Sequence, residues 1–180
     1  PDSKCIAIIK ANAYGHGIVN VAAALNEADA FGVARINEAI QSRQKNIAKP
    51  IILLEGFISN DELELVREYN LDCVVHNDNQ VQLLENANNQ SITVWLKIDT
   101  GMHRLGFNPD EVDTVLQRLQ RCNNVSQPVK LMTHLANADD KNDGKTLNQI
   151  DVFYQTIENQ SVNETSIANS AGILGWPQSH

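Results

Sequence analysis

Hydrophobic residues along the chain cluster in short runs, each bounded by polar or turn-forming residues. Adjacent as well as alternate positions within a run are apolar, which is typical of strands in a parallel sheet that is covered on both faces. The pattern therefore predicts seven strands: Cys5–Ile9, Phe31–Ala34, Ile51–Leu54, Cys73–Val75, Thr93–Ile98, Val129–Met132 and Thr165–Ala168.

Between several of these runs, apolar residues recur at the spacing of one face of a helix. Two helices have recognisable starts: Ser59 and Glu62 form a capping box, and Pro109 follows Asn108 at a first helical position. The sequence predicts four helices with these stripes: Ile18, Val21, Ala22 and Leu25; Leu63, Val66 and Tyr69; Val112, Val115, Leu116 and Leu119; Leu147, Ile150, Tyr154 and Ile157.

Strands that alternate with helices on this scale indicate βα units with right-handed crossovers. An open doubly wound sheet usually carries Gly-x-Gly-x-x-Gly after its first strand, whereas "YGHG" (Tyr14 to Gly17) has two glycines and no third at the required place. Seven consecutive units favour an α/β fold of the TIM type, a (β/α)8 barrel that lacks its last strand. We expect residues 1–180 to form most of one such domain.

Composition narrows the class of protein. The net charge is -8, the pI is near 5.0 and no Lys/Arg block occurs, which argues against a nucleic-acid or membrane partner. The three cysteines are scattered and no zinc-like spacing of Cys or His occurs, so we expect reduced, mostly buried thiols in a cytoplasmic protein without a metal site. Because the sequence begins at Pro1 without Met, we expect a piece of a longer chain.

Unusual polar residues follow four of the predicted strands. Lys10 follows the first strand, "KIDTGMHRLGF" (Lys97 to Phe107) straddles the end of the fifth, "THLANADD" (Thr133 to Asp140) follows the sixth, and "ANSAGI" (Ala168 to Ile173) follows the seventh. The active site of a parallel barrel lies at the carboxyl ends of its strands. These groups are therefore expected to converge on one face.

The segments "KANAYGHG", "KIDTGMHRLGF", "MTHLANAD" and "ANSAGI", in this order and spacing, closely resemble the alanine racemase family, enzymes of fold-type III that use pyridoxal 5'-phosphate (PLP). "LLEGF" (Leu53 to Phe57) resembles the third-strand segment of that family, and the likeness runs from Ala7 to Trp176. The resemblance implies an isomerase that interconverts L-alanine and D-alanine, supplies D-alanine for peptidoglycan and works as a cytoplasmic homodimer.

The resemblance also implies roles for individual residues near the first and fifth strands. Lys10 matches the lysine that forms a Schiff base with PLP and serves as acid and base on one face of the substrate. Tyr14 matches the tyrosine that hydrogen-bonds the phosphate region. Arg104 matches the arginine that bonds the phenolic oxygen and helps orient the cofactor for the substrate. Lys97 matches a position that some members carbamylate.

Further roles follow for the sixth and seventh strands. His134 matches the histidine that packs on the pyridine ring, and Asn169 and Ser170 match the pair that contacts the phosphate. Gly172 and Ile173 offer backbone N–H groups at a helix start, which suits an anion. Each position also has an ordinary structural interpretation, such as a snorkelling lysine, a surface ion pair or a helix cap.

Parts of the family's active site are expected to lie outside these residues. Racemisation needs an acid–base group on each face of the substrate carbon. By resemblance, the second is a tyrosine from a C-terminal β-rich domain of the partner subunit. The sequence stops before that domain, before the eighth strand and before the arginine that bonds the pyridine nitrogen. We therefore expect residues 1–180 alone not to racemise alanine efficiently.

The sequence leaves several alternative functions open. Within the same fold type, the alternatives are a broad-range amino-acid racemase and a non-catalytic, single-domain PLP-homeostasis protein. A non-catalytic cofactor-binding module and an unrelated barrel enzyme with a strand-end lysine, such as a Schiff-base aldolase, are further alternatives. His103, where a small or amide residue is common in the family, leaves the substrate range open.

Overall fold

A computed structural model describes residues 3–87 and 90–180; the predicted chain start at Pro1 lies outside these residues. The described residues contain one parallel sheet in which seven strands lie side by side in chain order. Each predicted run overlaps one strand, so the seven predictions are confirmed; five strands lie within the predicted bounds, and the second and fourth begin one residue earlier than predicted. The strands are β1 (Ile6–Ile8), β2 (Ala30–Val33), β3 (Ile51–Leu53), β4 (Asp72–Val75), β5 (Val94–Lys97), β6 (Lys130–Met132) and β7 (Thr165–Ser166).

Helical segments connect the strands. They are α1 (Lys10–Tyr14), α2 (Ile18–Ala24), α3 (Ile36–Gln44), α4 (Asn60–Glu68), α5 (Asp78–Asn86), α6 (Val112–Arg121), α7 (Lys145–Ile157) and α8 (Ser170–Gly175), with 3-10 turns at Pro109–Glu111 and Pro177–Ser179. The four predicted helices correspond to α2, α4, α6 and α7 and are confirmed. The stripe predicted for α7 is partly wrong: Ile150 is buried, but Leu147 and Tyr154 are exposed because the buried face of α7 runs through Phe153 instead. Leu25, one residue beyond α2, is also exposed. No helix among the described residues has the length and hydropathy needed to cross a membrane.

The predicted helix starts are confirmed with one change of partner. Ser59 caps α4 by accepting the N–H of Glu62, but the Glu62 carboxylate accepts the N–H of Ile58 at 2.8 Å. Asn108 and Glu111 form a reciprocal capping box at the turn that leads into α6. These caps satisfy N–H groups that the first turn of a helix leaves without partners.

The two faces of the sheet pack differently because successive side chains of a strand point to opposite sides. Residues on one side, such as Phe31, Leu53 and Leu96, belong to the large core that also contains the buried faces of the helices. Residues at the alternate positions form a second, smaller cluster: Ala30, Ile52, Val74, Trp95 and Met132. The first set faces the helices, and the second fills the interior of the curved sheet.

The architecture is an incomplete (β/α)8 barrel. In the described residues β1 pairs with β2 and β7 pairs with β6, so these two strands are the edges of the sheet, as expected for a barrel without its last strand. The three cysteines are free thiols, and two of them, Cys73 and Cys122, are buried as predicted.

An ion cluster closes the amino end of the barrel interior. Lys130 lies 2.6 Å from Glu164 and 4.9 Å from the centre of the Trp95 ring, and Trp95 Nε1 donates to Asp72 at 3.3 Å. Burial raises the pKa of Asp72 despite its contacts with Trp95 and Lys130. The polar loops that follow the strands lie at the opposite, carboxyl end of the barrel.

Candidate active site

Three titratable side chains occupy the carboxyl end of the barrel interior. Lys97 and His134 each lie two residues beyond a member of the interior cluster, Trp95 and Met132 respectively, and are half-buried. Lys10, also half-buried, follows β1 and lies close enough to lower the pKa of both. The structure thus brings together the groups that the sequence places at separate strand ends.

The electrostatics of this cluster favour a neutral imidazole. Burial, followed by the positive charges of Lys97, Arg104 and Lys10, lowers the pKa of His134 to about 4. Near neutral pH its ring is therefore uncharged and presents a flat surface without adding to the local positive charge.

The same neighbours act on Lys97. Burial, then Arg104 and Lys10, lower its pKa, and Asp99 opposes them. Three cationic side chains thus lie within electrostatic reach of one another at the open end of the barrel. Such a site favours a bound anion or an added negative charge.

The backbone directly after Lys10 adopts a left-handed turn. Ala11, Asn12, Ala13 and Tyr14 have φ angles of 52–54°. For residues with a Cβ, this conformation costs roughly 1–2 kcal/mol each, so other contacts must stabilise the turn. It leaves Tyr14 62% exposed near the start of the site.

Two side chains stabilise this turn. Glu38, near the start of α3, accepts the N–H of Asn12 with one oxygen and those of Ala34 and Arg35 with the other, each at 3.1 Å. Asn12 Oδ1 in turn accepts the N–H of Ile18 at 2.9 Å. The sequence pattern did not point to either residue; the only local signal was an acidic residue three positions after Arg35, where a helix start is often capped.

Arg104 lies exposed on a loop whose base is closed by β-type hydrogen bonds. Phe107 N–H donates to the carbonyl of Lys97 at 2.9 Å, and Asp99 N–H donates to the carbonyl of Phe107 at 2.8 Å. Gly106 at this crossing has φ 134°, and a Cβ there would lie 2.6 Å from the Asp99 nitrogen. The loop therefore has glycine where two backbone segments approach most closely.

Asp99 organises the same loop from inside. Its Oδ1 accepts the N–H groups of Gly101 and His103 at 3.0 Å each, and its Oδ2 lies 3.1 Å from His103 Nδ1. Burial alone would raise the pKa of Asp99, but these donors lower it. Asp99 and His103 were not among the predicted site residues, although both lie within the motif that drew attention to Arg104.

The loop after β7 is held by Asn169. Its Oδ1 accepts the N–H of Gly172 at 2.9 Å, its Nδ2 donates to the carbonyl of Leu135 at 3.1 Å, and its carbonyl accepts the N–H of Ile173. The N–H groups expected to face a phosphate are thus engaged with Asn169, which acts as the cap of α8. Ser170 is exposed at the first position of that helix.

The sequence of this chain is similar to that of known proteins. All 180 residues match a family model described as the N-terminal domain of alanine racemase. The chain belongs to this family. It is 49% identical to the biosynthetic alanine racemase of Escherichia coli O6:H1 and 48% identical to the alanine racemase of Edwardsiella ictaluri, in each case over 100% of this chain and 50% of the relative.

Solved structures of the family agree with the barrel. The biosynthetic alanine racemase of Pseudomonas aeruginosa superposes with a TM-score of 0.94 at 36% identity, over 100% of this chain and 50% of that one. The Acinetobacter baumannii alanine racemase gives a TM-score of 0.88 at 34% identity, over 99% and 53%. The resemblance of the four motifs is therefore confirmed, and the chain spans about half the length of these relatives.

Proposed function

We propose that the full-length protein is a PLP-dependent alanine racemase that interconverts L-alanine and D-alanine. The observation that carries this proposal is the convergence of Lys10, Lys97 and Arg104 on a neutral His134 at the carboxyl end of the barrel. The names of the relatives support the substrate. A role in supplying D-alanine for peptidoglycan, in the cytoplasm, belongs to the same proposal.

The residues present fit PLP, which carries a phosphate, a phenolic oxygen and a flat ring. Cationic side chains suit its negative groups, and the neutral imidazole of His134 suits the ring face. Lys10 supplies an amine at the end of a strand in the barrel interior. When bound, PLP acts as an electron sink for the negative charge left at Cα of an amino acid.

The proposed mechanism assigns Lys10 two tasks. Its Nζ would hold the cofactor covalently, and as a free amine it would remove or return the Cα proton on one face. Arg104 would orient the cofactor through its phenolic oxygen. Tyr14, Asn169, Ser170 and the backbone of Gly172 and Ile173 are proposed to bind the phosphate; for Gly172 and Ile173 this requires exchange of their present bonds to Asn169.

Lys97 is proposed as the carbamylated position. Burial and nearby cations lower its pKa, which increases the share of uncharged amine, the form that adds carbon dioxide. The amine loses a proton as the carbamate forms. The product carries a negative charge that pairs with Arg104 and removes the repulsion between the two cations.

The other face of Cα requires a second acid–base group. We propose that a β-rich domain follows the barrel of residues 1–180 and that the partner subunit of a homodimer contributes this group, a tyrosine. The half-length match to the relatives supports a longer protein. On this proposal, residues 1–180 supply most of the cofactor site but do not racemise alanine efficiently alone.

The test is to incubate the full-length protein with PLP, reduce it with borohydride, digest it and locate the pyridoxyl group by mass spectrometry. We expect a label on Lys10, its loss in Lys10→Ala, and racemisation of alanine by the wild type only. Lys49, on the loop before β3, is the internal control for non-specific labelling. A label on Lys10 without racemisation would support the non-catalytic alternative, and a folded protein without the label would refute the PLP site.

A further inference from the structure

A buried glutamine connects the two loops that carry His134 and Arg104. Gln149, in the middle of α7, is 2% exposed. Its Nε2 donates to the carbonyl of His134 at 3.1 Å and to Thr100 Oγ1 at 3.2 Å, and its Oε1 accepts the N–H of Ala136 at 2.9 Å. One amide therefore uses both of its N–H groups and its oxygen on the ends of β5 and β6.

Two buried threonines extend this contact. Thr133 Oγ1 donates to the carbonyl of Ile98 at 2.9 Å, and Thr100 Oγ1 lies 2.8 Å from Thr133 Oγ1. A hydroxyl has a single proton, so Thr100 must be the donor in the second bond and can only accept from Gln149. The chain of donors thus runs in one direction, from Gln149 through Thr100 and Thr133 to Ile98.

We propose that Gln149 is a positioning residue, which sets the place of His134 relative to the Arg104 loop and thereby shapes the cofactor site. One N–H of its Nε2 donates to the backbone carbonyl of His134 itself. The other N–H of the same nitrogen donates to Thr100, which is next to Gly101, where an added Cβ would be in ordinary van der Waals contact with Gln149 Cγ at 3.5 Å. The proposal rests on the function proposed above, in which PLP lies between these loops.

The chain contains a matched control for this residue. Gln80 on α5 is also 2% exposed; its Nε2 donates to the carbonyls of Glu55 and Phe57, and its Oε1 accepts the N–H of His76. It likewise donates twice and accepts once between the ends of β3 and β4, although both of its acceptors are backbone carbonyls. None of the residues proposed to bind PLP lies on those two strands, so Gln80 reports the purely structural effect of losing such a contact.

The experiment compares Gln149→Met with Gln80→Met in the full-length protein. We expect both to lower Tm, because each leaves buried backbone groups unpaired. Only Gln149→Met should raise the Kd for PLP, shift the absorbance of bound PLP and lower kcat by about 10- to 100-fold, the scale expected when reacting groups are misplaced. Equal PLP binding, spectra and kcat in the two variants, measured below both Tm values, would overturn the proposal.

Two further measurements keep the test decisive. Thr100→Val leaves the bonds from Gln149 to His134 and Ala136 in place but removes the hydroxyl that accepts from Gln149 and donates to Thr133, so it should shift the absorbance of bound PLP even if Gln149→Met fails to fold. NMR titration of the His134 ring without PLP should show its pKa rising toward the ordinary value in Gln149→Met and unchanged in Gln80→Met. This measurement needs no cofactor, so it tests the two proposals separately. An unchanged pKa of His134 in Gln149→Met would refute the positioning role of Gln149. Absence of the Lys10 label in the wild type would refute the PLP proposal instead.

Discussion

The carboxylate of Glu38 accepts the backbone N–H of Asn12 at 3.1 Å and so connects the start of α3 to the left-handed turn after Lys10. The same carboxylate binds two N–H groups at the end of β2. A single acidic side chain therefore joins neighbouring βα units at the point where the proposed cofactor lysine enters the site. The strained turn depends on this contact and on Asn12.

Glu38→Gln is expected to weaken the turn. An amide has one acceptor oxygen in place of two, and its NH2 group would face an N–H donor. We expect a loss of about 1–3 kcal/mol in the free energy of unfolding, measured with urea, and a lower yield of Lys10 labelling. The exposed Glu27 supplies the control, Glu27→Gln, which should change neither; an unaffected Glu38→Gln would contradict the role of the carboxylate.

Gly106→Ala should disrupt the base of the Arg104 loop. The backbone has φ 134°, and the new Cβ would meet the Asp99 nitrogen at 2.6 Å, so both strain and overlap oppose it. We expect at least about 2 kcal/mol of destabilisation together with weaker PLP binding. Gly144→Ala is the control, because a Cβ there meets nothing within 4 Å. It should be neutral or slightly stabilising; equal effects in both variants would argue against the crowding at Gly106.

The low pKa of His134 predicts a pH dependence of stability. In the folded protein burial, Lys97, Arg104 and Lys10 hold that pKa at about 4, below the ordinary value of 6.5. Between these values the unfolded chain binds a proton that the folded one does not, so this contribution is complete above about pH 6.5 and is lost as the pH falls toward 4. Urea unfolding across that range should show a steeper dependence in wild type than in His134→Asn. An equal pH dependence in wild type and His134→Asn would contradict this contribution of His134.

The strands were predictable from sequence because buried parallel strands are apolar at consecutive positions, as in Ile51–Leu53. Helices α3 and α5 had no clear signal: the stripe of α3 is weak, with Ala39 and Ser42 as its buried residues, and α5 buries Gln80 beside Val81 and Leu84. A helix whose inner face contains a polar residue does not show a plain apolar stripe.

The candidate site, like the helices, was predictable from sequence only in part. Lys10, Lys97, Arg104 and His134 were identified as candidates because each belongs to a motif at or just after the end of a strand. Glu38 and Gln149 were not found, since each acts through backbone groups that are distant in sequence, such as the N–H of Asn12 and the carbonyl of His134. A side chain that binds backbone leaves no pattern of partner residue types to recognise.

The ion cluster at the amino end of the barrel allows a test of how far the site depends on the rest of the fold. Lys130→Met removes one cation that pairs with Glu164 and Asp72 and retains apolar contact with Trp95; Lys4 still pairs with Glu164 at 2.8 Å. Because Asp72 is largely buried and its pKa is already raised by burial, loss of the nearby cation should cost about 1–3 kcal/mol in the free energy of unfolding. Lys130 lies at the end of the barrel opposite Lys10, so labelling of Lys10 and the Kd for PLP should remain at wild-type values below Tm.

The conservative variant Lys130→Arg is the control and should recover most of the lost stability. A change in PLP binding without a change in stability would show that the amino end of the barrel communicates with the site, contrary to the separation of the two ends described above.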